Sequence, residues 1–220
     1  MIAGMPAPQL TRSEPRSRPL GVVLMLHGGR PDGLDPVGSR SRPWLRSRLM
    51  MAQLQRPFHR AGVAVWLLRY QLTGWNRGHG ALPSPVTDAR WALEQVRERH
   101  GTTPVVLLGH SMGARTAVAV ADDPAVVGVV GLAPWFPPGE PVGPLRGKDL
   151  VAAHGHGDRI TSFADTAAYV RRAAALASSF ELVDMGERDH YLIRGVGAWN
   201  AVARERTLGM LVGTRLHDDS

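Results

Sequence analysis

The chain has 220 residues, 44% of them hydrophobic and 20% charged, which fits one large globular domain and excludes wholesale disorder, collagen and a long coiled coil. Cysteine is absent, so a disulfide framework, a thiolate zinc site and a cysteine nucleophile are all excluded. The net charge of +7 is carried by arginine, with Lys148 the one lysine; the arginines are spread along the chain with no aromatic-interleaved basic stripe, so no nucleic-acid partner is expected.

Residues 1–19 hold Pro6, Pro8, Pro15 and Pro19 among polar residues and read as a flexible N-terminal arm. Residues 21–26 (GVVLML) form an apolar run that ends at His27-Gly28-Gly29, which predicts a buried strand. That run is too short for a membrane span and lacks the cleavage site of a signal peptide. A cytoplasmic protein with no membrane partner is expected. Residues 44–61 carry helical spacing at Leu45, Leu49, Ala52 and Leu54 before Gly62. A second buried strand follows at 63–68, then a loop with Gly74, Gly78 and Gly80. Residues 85–100 predict a helix opened by Pro85 and ended by Gly101. Strands are expected at 104–108, 126–132, 149–153 and 180–185, and helices at 114–121, 162–177 and 199–211. Residues 20–212 then form a single domain, with 213–220 as a C-terminal tail. Six buried strands alternating with helices imply an α/β fold, a mostly parallel sheet covered on both faces. Ligands of such sheets bind beyond the carboxyl ends of the strands.

The chemistry gathers at those ends. The third strand runs into Gly109-His110-Ser111-Met112-Gly113, a G-x-S-x-G pattern between strand and helix. Small flanking residues let strand and helix close around a sharp turn that lifts the serine hydroxyl above the sheet. Ser111 is the candidate nucleophile. The fifth strand ends in His154-Gly155-His156-Gly157-Asp158, and Asp158 is the candidate carboxylate that orients an imidazole. Asp165 and Asp184 fall within a helix and a strand and are poorer candidates. His190, after the sixth strand, is the candidate general base; His217 lies in the tail, and His59, His79 and His100 read as structural or solvated. The glycine pair after the first strand allows close backbone approach, which nominates the N–H groups of Gly29 and Met112 as an oxyanion hole, Gly29 being preferred to Arg30 by position. His27 is expected to hold that loop rather than to do chemistry. Trp75, Trp135, Phe136 and Tyr191 are expected to line the substrate pocket. A rival reading takes His154-x-His156-x-Asp158 as metal ligands; the metallo-β-lactamase-like motif it is similar to has His next, where this chain has Arg159.

In chain order these four points resemble the α/β-hydrolase superfamily over residues 20–212. His27-Gly28 resembles its oxyanion loop, Gly109 to Gly113 its nucleophile elbow, His154-Gly155-x-x-Asp158 its acid loop and Asp189-His190 its histidine turn. The polar arm leaves no room for the family's first antiparallel hairpin. Residues 133–148 are too few for a cap domain. The chain therefore looks like the small capless group of dienelactone-hydrolase-like and small carboxylesterase-like proteins, although true dienelactone hydrolases use a cysteine nucleophile. The resemblance implies ester hydrolysis of short or compact substrates through an acyl-serine, with no cofactor and no metal. An acyl thioesterase, a serine peptidase of the same fold, and a non-hydrolytic protein that binds a ligand or partner are the alternatives. Oligomeric state is left open.

Overall fold

The structure, a computed structural model, describes residues 7–76 and 82–218; Gly78, His79 and Gly80 lie outside it. Seven strands form one sheet: β1 (Gln9–Ser13), β2 (Gly21–Leu26), β3 (Val63–Arg69), β4 (Val105–His110), β5 (Val126–Leu132), β6 (Asp149–His154) and β7 (Ser179–Asp184). Their order is β1-β3-β2-β4-β5-β6-β7. β2 to β7 run parallel, and β1 pairs antiparallel with β3 from Gln9↔Arg69 to Ser13↔Val65. The continuous apolar strands β2 and β4 are buried along their whole length, as the covering of both faces of a parallel sheet requires.

Among the described residues five α-helices cover the sheet: α1 (Arg42–Arg60), α2 (Ser84–His100), α3 (Met112–Ala119), α4 (Phe163–Ala173) and α5 (Val196–Asp218). β2-α1-β3 and β4-α3-β5 advance along the sheet in opposite directions. Right-handed crossovers then place α1 and α3 on opposite faces. α5 packs with α1, and α2 with α3. The direction of advance reverses between β2 and β4, so the crevice at their carboxyl ends is the topological switch point. His27-Gly28-Gly29 and Ser111 flank that crevice.

Three sequence expectations need correction. Residues 9–13 are not part of a free arm but form the edge strand β1. Its Q-L-T-R-S sequence is too polar to read as a strand, yet polar residues suit a sheet edge. Arg12 lies over the Trp66 ring at 4.5 Å, and Trp66 Nε1 donates to Glu14 just beyond the strand. At the other end, α5 carries the backbone helical to Asp218, through most of the expected tail. The buried face of α1 is also rotated from the predicted one. Trp44, Met50, Met51, Leu54 and Phe58 face the core, while Leu45 and Leu49 are exposed. The helix has two apolar stripes, and the bulkier one with Trp44 and Phe58 takes the interior.

Candidate active site

Ser111 sits between β4 and α3 with φ +56°, a left-handed conformation that L residues rarely adopt. Its neighbours explain the two glycines of the pattern. A Cβ on Gly109 would lie 2.4 Å from Ala114 N, and one on Gly113 would lie 2.0 Å from the Leu26 carbonyl. The turn is held by bonds from Ser111 N to Leu132 O (3.1 Å) and from Ala114 N and Trp135 N to Ser111 O (3.0 and 3.3 Å). The expected residues come together at this point. His190 Nε2 is 3.0 Å from Ser111 Oγ, and His190 Nδ1 is 2.8 Å from Asp158 Oδ2. All three side chains are buried or nearly so.

The glycines of the acid loop have the same kind of cause. A Cβ on Gly155 would lie 2.2 Å from Arg188 O, and one on Gly157 would lie 2.6 Å from Glu187 O. The backbones of the acid and histidine loops are therefore in direct contact, which brings Asp158 to His190. The carboxylate is densely satisfied. Its Oδ1 accepts from the N–H groups of Ile160 and Thr161, and its Oδ2 accepts from His154 Nε2 (3.0 Å), Thr161 Oγ1 (2.8 Å) and His190. Burial alone would push its pKa up, but the bonds from His154, His190 and Thr161 hold it well below the usual carboxylate range. Asp158 is ionised at any pH at which the protein would work.

Three further residues escape a sequence reading. His154 is fully buried between Asp158 and Thr166 Oγ1, 2.8 Å from its Nδ1. His156 turns instead to Asp184 at 3.0 Å and stacks near Phe163, so the two histidines of the rival motif do not converge on one point. His110 Nε2 lies 2.9 Å from the His190 carbonyl. Burial lowers its pKa to about 3, so it is neutral and its Nε2–H donates to that carbonyl. Thr161 bonds Asp158 and lies 3.1 Å from His190 Nδ1. Only the spacing of His154 four residues before Asp158 carried any signal.

The loop after β2 is equally determined. His27 Nε2 accepts from Tyr70 N–H (3.3 Å), which leaves Nδ1–H to donate to Gly28 O (2.6 Å). Burial keeps this imidazole neutral by lowering its pKa to about 4. Fixing the Gly28 carbonyl fixes its peptide plane, and so aims the Gly29 N–H away from His27. The Arg30 N–H is taken by Thr73 O at 2.9 Å. A Cβ on Gly29 would strike the Met112 side chain at 2.3 Å, so this loop lies against the start of α3.

A trough of about 980 Å³ opens over these groups, with Gly29, Ser111 and His190 in its lining. Tyr191 is also in its lining. Trp75, Trp135 and Phe136 do not. Trp75 and Trp135 hold the Arg115 guanidinium over their rings at 4.1 and 4.4 Å, and Phe136 stacks on Tyr169 at 4.1 Å. A buried cation and a neighbouring aromatic ring claim the faces that were expected to meet substrate. No helix among the described residues is long and apolar enough to cross a membrane.

The model of the alpha/beta hydrolase family matches residues 23–218, and the chain belongs to that family. Among solved structures it is similar to an alpha-beta serine hydrolase homologue from Coxiella burnetii, with 16% identity, TM-score 0.67, and coverage of 90% of this chain and 91% of that one. It is similar to Est1E from Butyrivibrio proteoclasticus, solved with ferulic acid, at 12% identity, TM-score 0.68, and 93% and 96% coverage. A serine hydrolase without lid from Xanthomonas campestris is similar at 15% identity, TM-score 0.64, and 90% and 86% coverage. A search of curated proteins finds no match. These identities speak for the shared fold.

Proposed function

We propose that this protein is a serine hydrolase that cleaves carboxylic esters through an acyl-serine intermediate. The observation that carries the reading is the continuous hydrogen-bonded line from Ser111 Oγ through His190 to an ionised Asp158, at 3.0 and 2.8 Å. In this reading His190 Nε2 takes the Ser111 proton as Oγ attacks the ester carbonyl carbon. Asp158 holds Nδ1–H and stabilises the imidazolium. The oxyanion is received by the N–H groups of Met112 and Gly29. The former opens α3 and has no intrahelical partner; the latter has none among the described residues. Collapse of the tetrahedral intermediate breaks the carbon–oxygen bond, and His190 gives its proton to the leaving alkoxide. Water, deprotonated by His190, then repeats the sequence on the acyl-serine and releases the acid. The ferulic acid in Est1E is consistent with a related fold holding a carboxylic acid.

The test is hydrolysis of p-nitrophenyl esters from acetate to palmitate by wild type and Ser111→Ala, with fluorophosphonate labelling of both. Wild type is expected to turn over and to label at Ser111. The Ser111→Ala protein is expected to lose about ten-thousand-fold or more in kcat, as removal of a triad nucleophile does. A folded wild type that neither hydrolyses an ester nor labels overturns the proposal in favour of a binding role.

A further inference from the structure

The trough has two kinds of wall. α1 turns Leu45 and Leu49, one helical turn apart, away from the core and into it. Ile160 from the acid loop and Tyr191 and Ile193 from the histidine loop also line it, each more than half exposed. Five of the eleven large apolar side chains exposed among the described residues thus meet at one mouth. Isolated exposed apolar residues are ordinary, but a cluster beside a nucleophile offers a bed for an apolar substrate body.

The same trough is lined by Arg30, Arg40, Arg42 and Arg46 and, among the described residues, by no carboxylate. Asp32 and Asp35 belong to the neighbouring loop but are outside the lining. None of the four arginines forms an ion pair with a described residue. For the exposed Arg30, Arg40 and Arg42 that would be unremarked solvation. Arg46 differs. It is partly buried, it donates through Nη2 to the Leu192 carbonyl, and its Nε is buried without a partner. Asp189 acts on it only through its field, and the field of Arg46 itself reaches His110, the residue before Ser111. A partly desolvated cation that forms no ion pair with a described residue thus lines the same trough as Ser111, and burial of a charge is costly until an anion joins it.

Building on the ester-hydrolase reading, we propose that the substrates are amphipathic anionic esters. Their apolar body lies on Leu45, Leu49 and Ile193, and a carboxylate or phosphate group on that body is met by Arg46, with Arg42 and Arg30 around it. A guanidinium suits either anion because its planar donors match two oxygens at once.

The experiment compares p-nitrophenyl hexanoate with the p-nitrophenyl half-ester of adipic acid and with the matching ω-phosphonate ester. Binding to Ser111→Ala is measured by calorimetry, and kcat/KM with wild type. One or both anionic esters are expected to bind about tenfold tighter than the neutral one and to show a similar preference in kcat/KM, the size of one charge-assisted hydrogen bond. The preference should shrink as salt is raised. Which anion is preferred separates the carboxylate from the phosphate source. Arg42→Gln and Arg46→Gln are each expected to lower the anionic-to-neutral ratio, a readout that general damage to the site does not move. Equal binding of all three esters, or a ratio unchanged in the double variant, overturns the inference. Wild type inert on every ester overturns the hydrolase reading instead, since selectivity is then still judged by binding to Ser111→Ala.

Discussion

Asp158 accepts five hydrogen bonds, and each holds the carboxylate where His190 needs it. His154 contributes one of them from full burial. His154→Phe keeps an apolar ring in that space but removes the donor. We expect kcat to fall about tenfold, the cost of one hydrogen bond to a charged group, with KM little changed. Steady-state kinetics on a p-nitrophenyl ester checks it; an unaltered kcat would mean that the remaining four donors suffice. His110 makes a second residue-scale prediction. Its folded pKa of about 3 lies below the unfolded value of about 6.5. Between those values the unfolded chain binds a proton that the folded protein refuses, so stability falls as pH drops through 6.5 toward 3. His110→Gln can still donate an amide N–H toward the His190 carbonyl but cannot titrate. The slope of unfolding free energy against pH, from urea titrations between about pH 4 and 6, should therefore lose close to one proton relative to wild type. An unchanged slope would place the proton on His110 in the folded state.

At the scale of elements, legibility followed burial. β2 to β6 are covered on both faces, so their sequences are continuous apolar runs and could be read directly; the glycine-flanked turns after β4 and β6 carried Ser111 and Asp158, and His190 follows β7. β1 has one neighbour and a polar sequence, so no pattern marked it until β3 supplied the pairing. α1 has apolar residues on two sides, and periodicity alone does not say which one the sheet takes; the choice put Leu45 and Leu49 in the trough instead of the core. The pocket aromatics failed for a related reason. Trp75 and Trp135 are near the right end of the sheet, but Arg115, inside α3, claims both rings. Position after a strand is visible in sequence, whereas competition for a side-chain face is not. The contact between the acid and histidine loops can be tested as a unit. Gly155→Ala puts a methyl group 2.2 Å from Arg188 O, a backbone atom that can yield only if the loops part. Because both loops lie outside the sheet, the circular dichroism spectrum should stay native while kcat drops about a hundredfold, as expected for a catalytic group displaced by roughly 1 Å. Native activity in this variant would mean that the two loops separate without moving Asp158 from His190.

Across the whole molecule, the segment between β5 and β6 stands where many relatives would insert a cap, yet residues 133–148 hold only a short 3-10 turn, Gly143–Leu145. The segment is tied down. Arg172 and the Tyr169 hydroxyl donate to the carbonyls of Glu140 and Pro141, linking it to α4. Glu140 itself is buried and accepts from Arg115 Nε at 2.7 Å and Nη2 at 2.6 Å. Arg115 lies in the helix that begins beside Ser111, and its guanidinium is held between Trp75, from the loop after β3, and Trp135, from the loop after β5. One buried cation therefore joins α3 to the loops on either side of it. Such a pair is a weak source of net stability, because desolvation offsets much of the attraction, but breaking it on one side strands the other charge. Arg115→Met keeps the length and apolar stem of the side chain and leaves Glu140 buried and alone. Its expected cost is about 3–5 kcal/mol in urea-induced unfolding. Arg115→Met combined with Glu140→Gln removes both charges and should recover a good part of that loss. If the double variant were as unstable as the single one, the penalty would lie in the lost stacking on Trp75 and Trp135 rather than in the orphaned carboxylate.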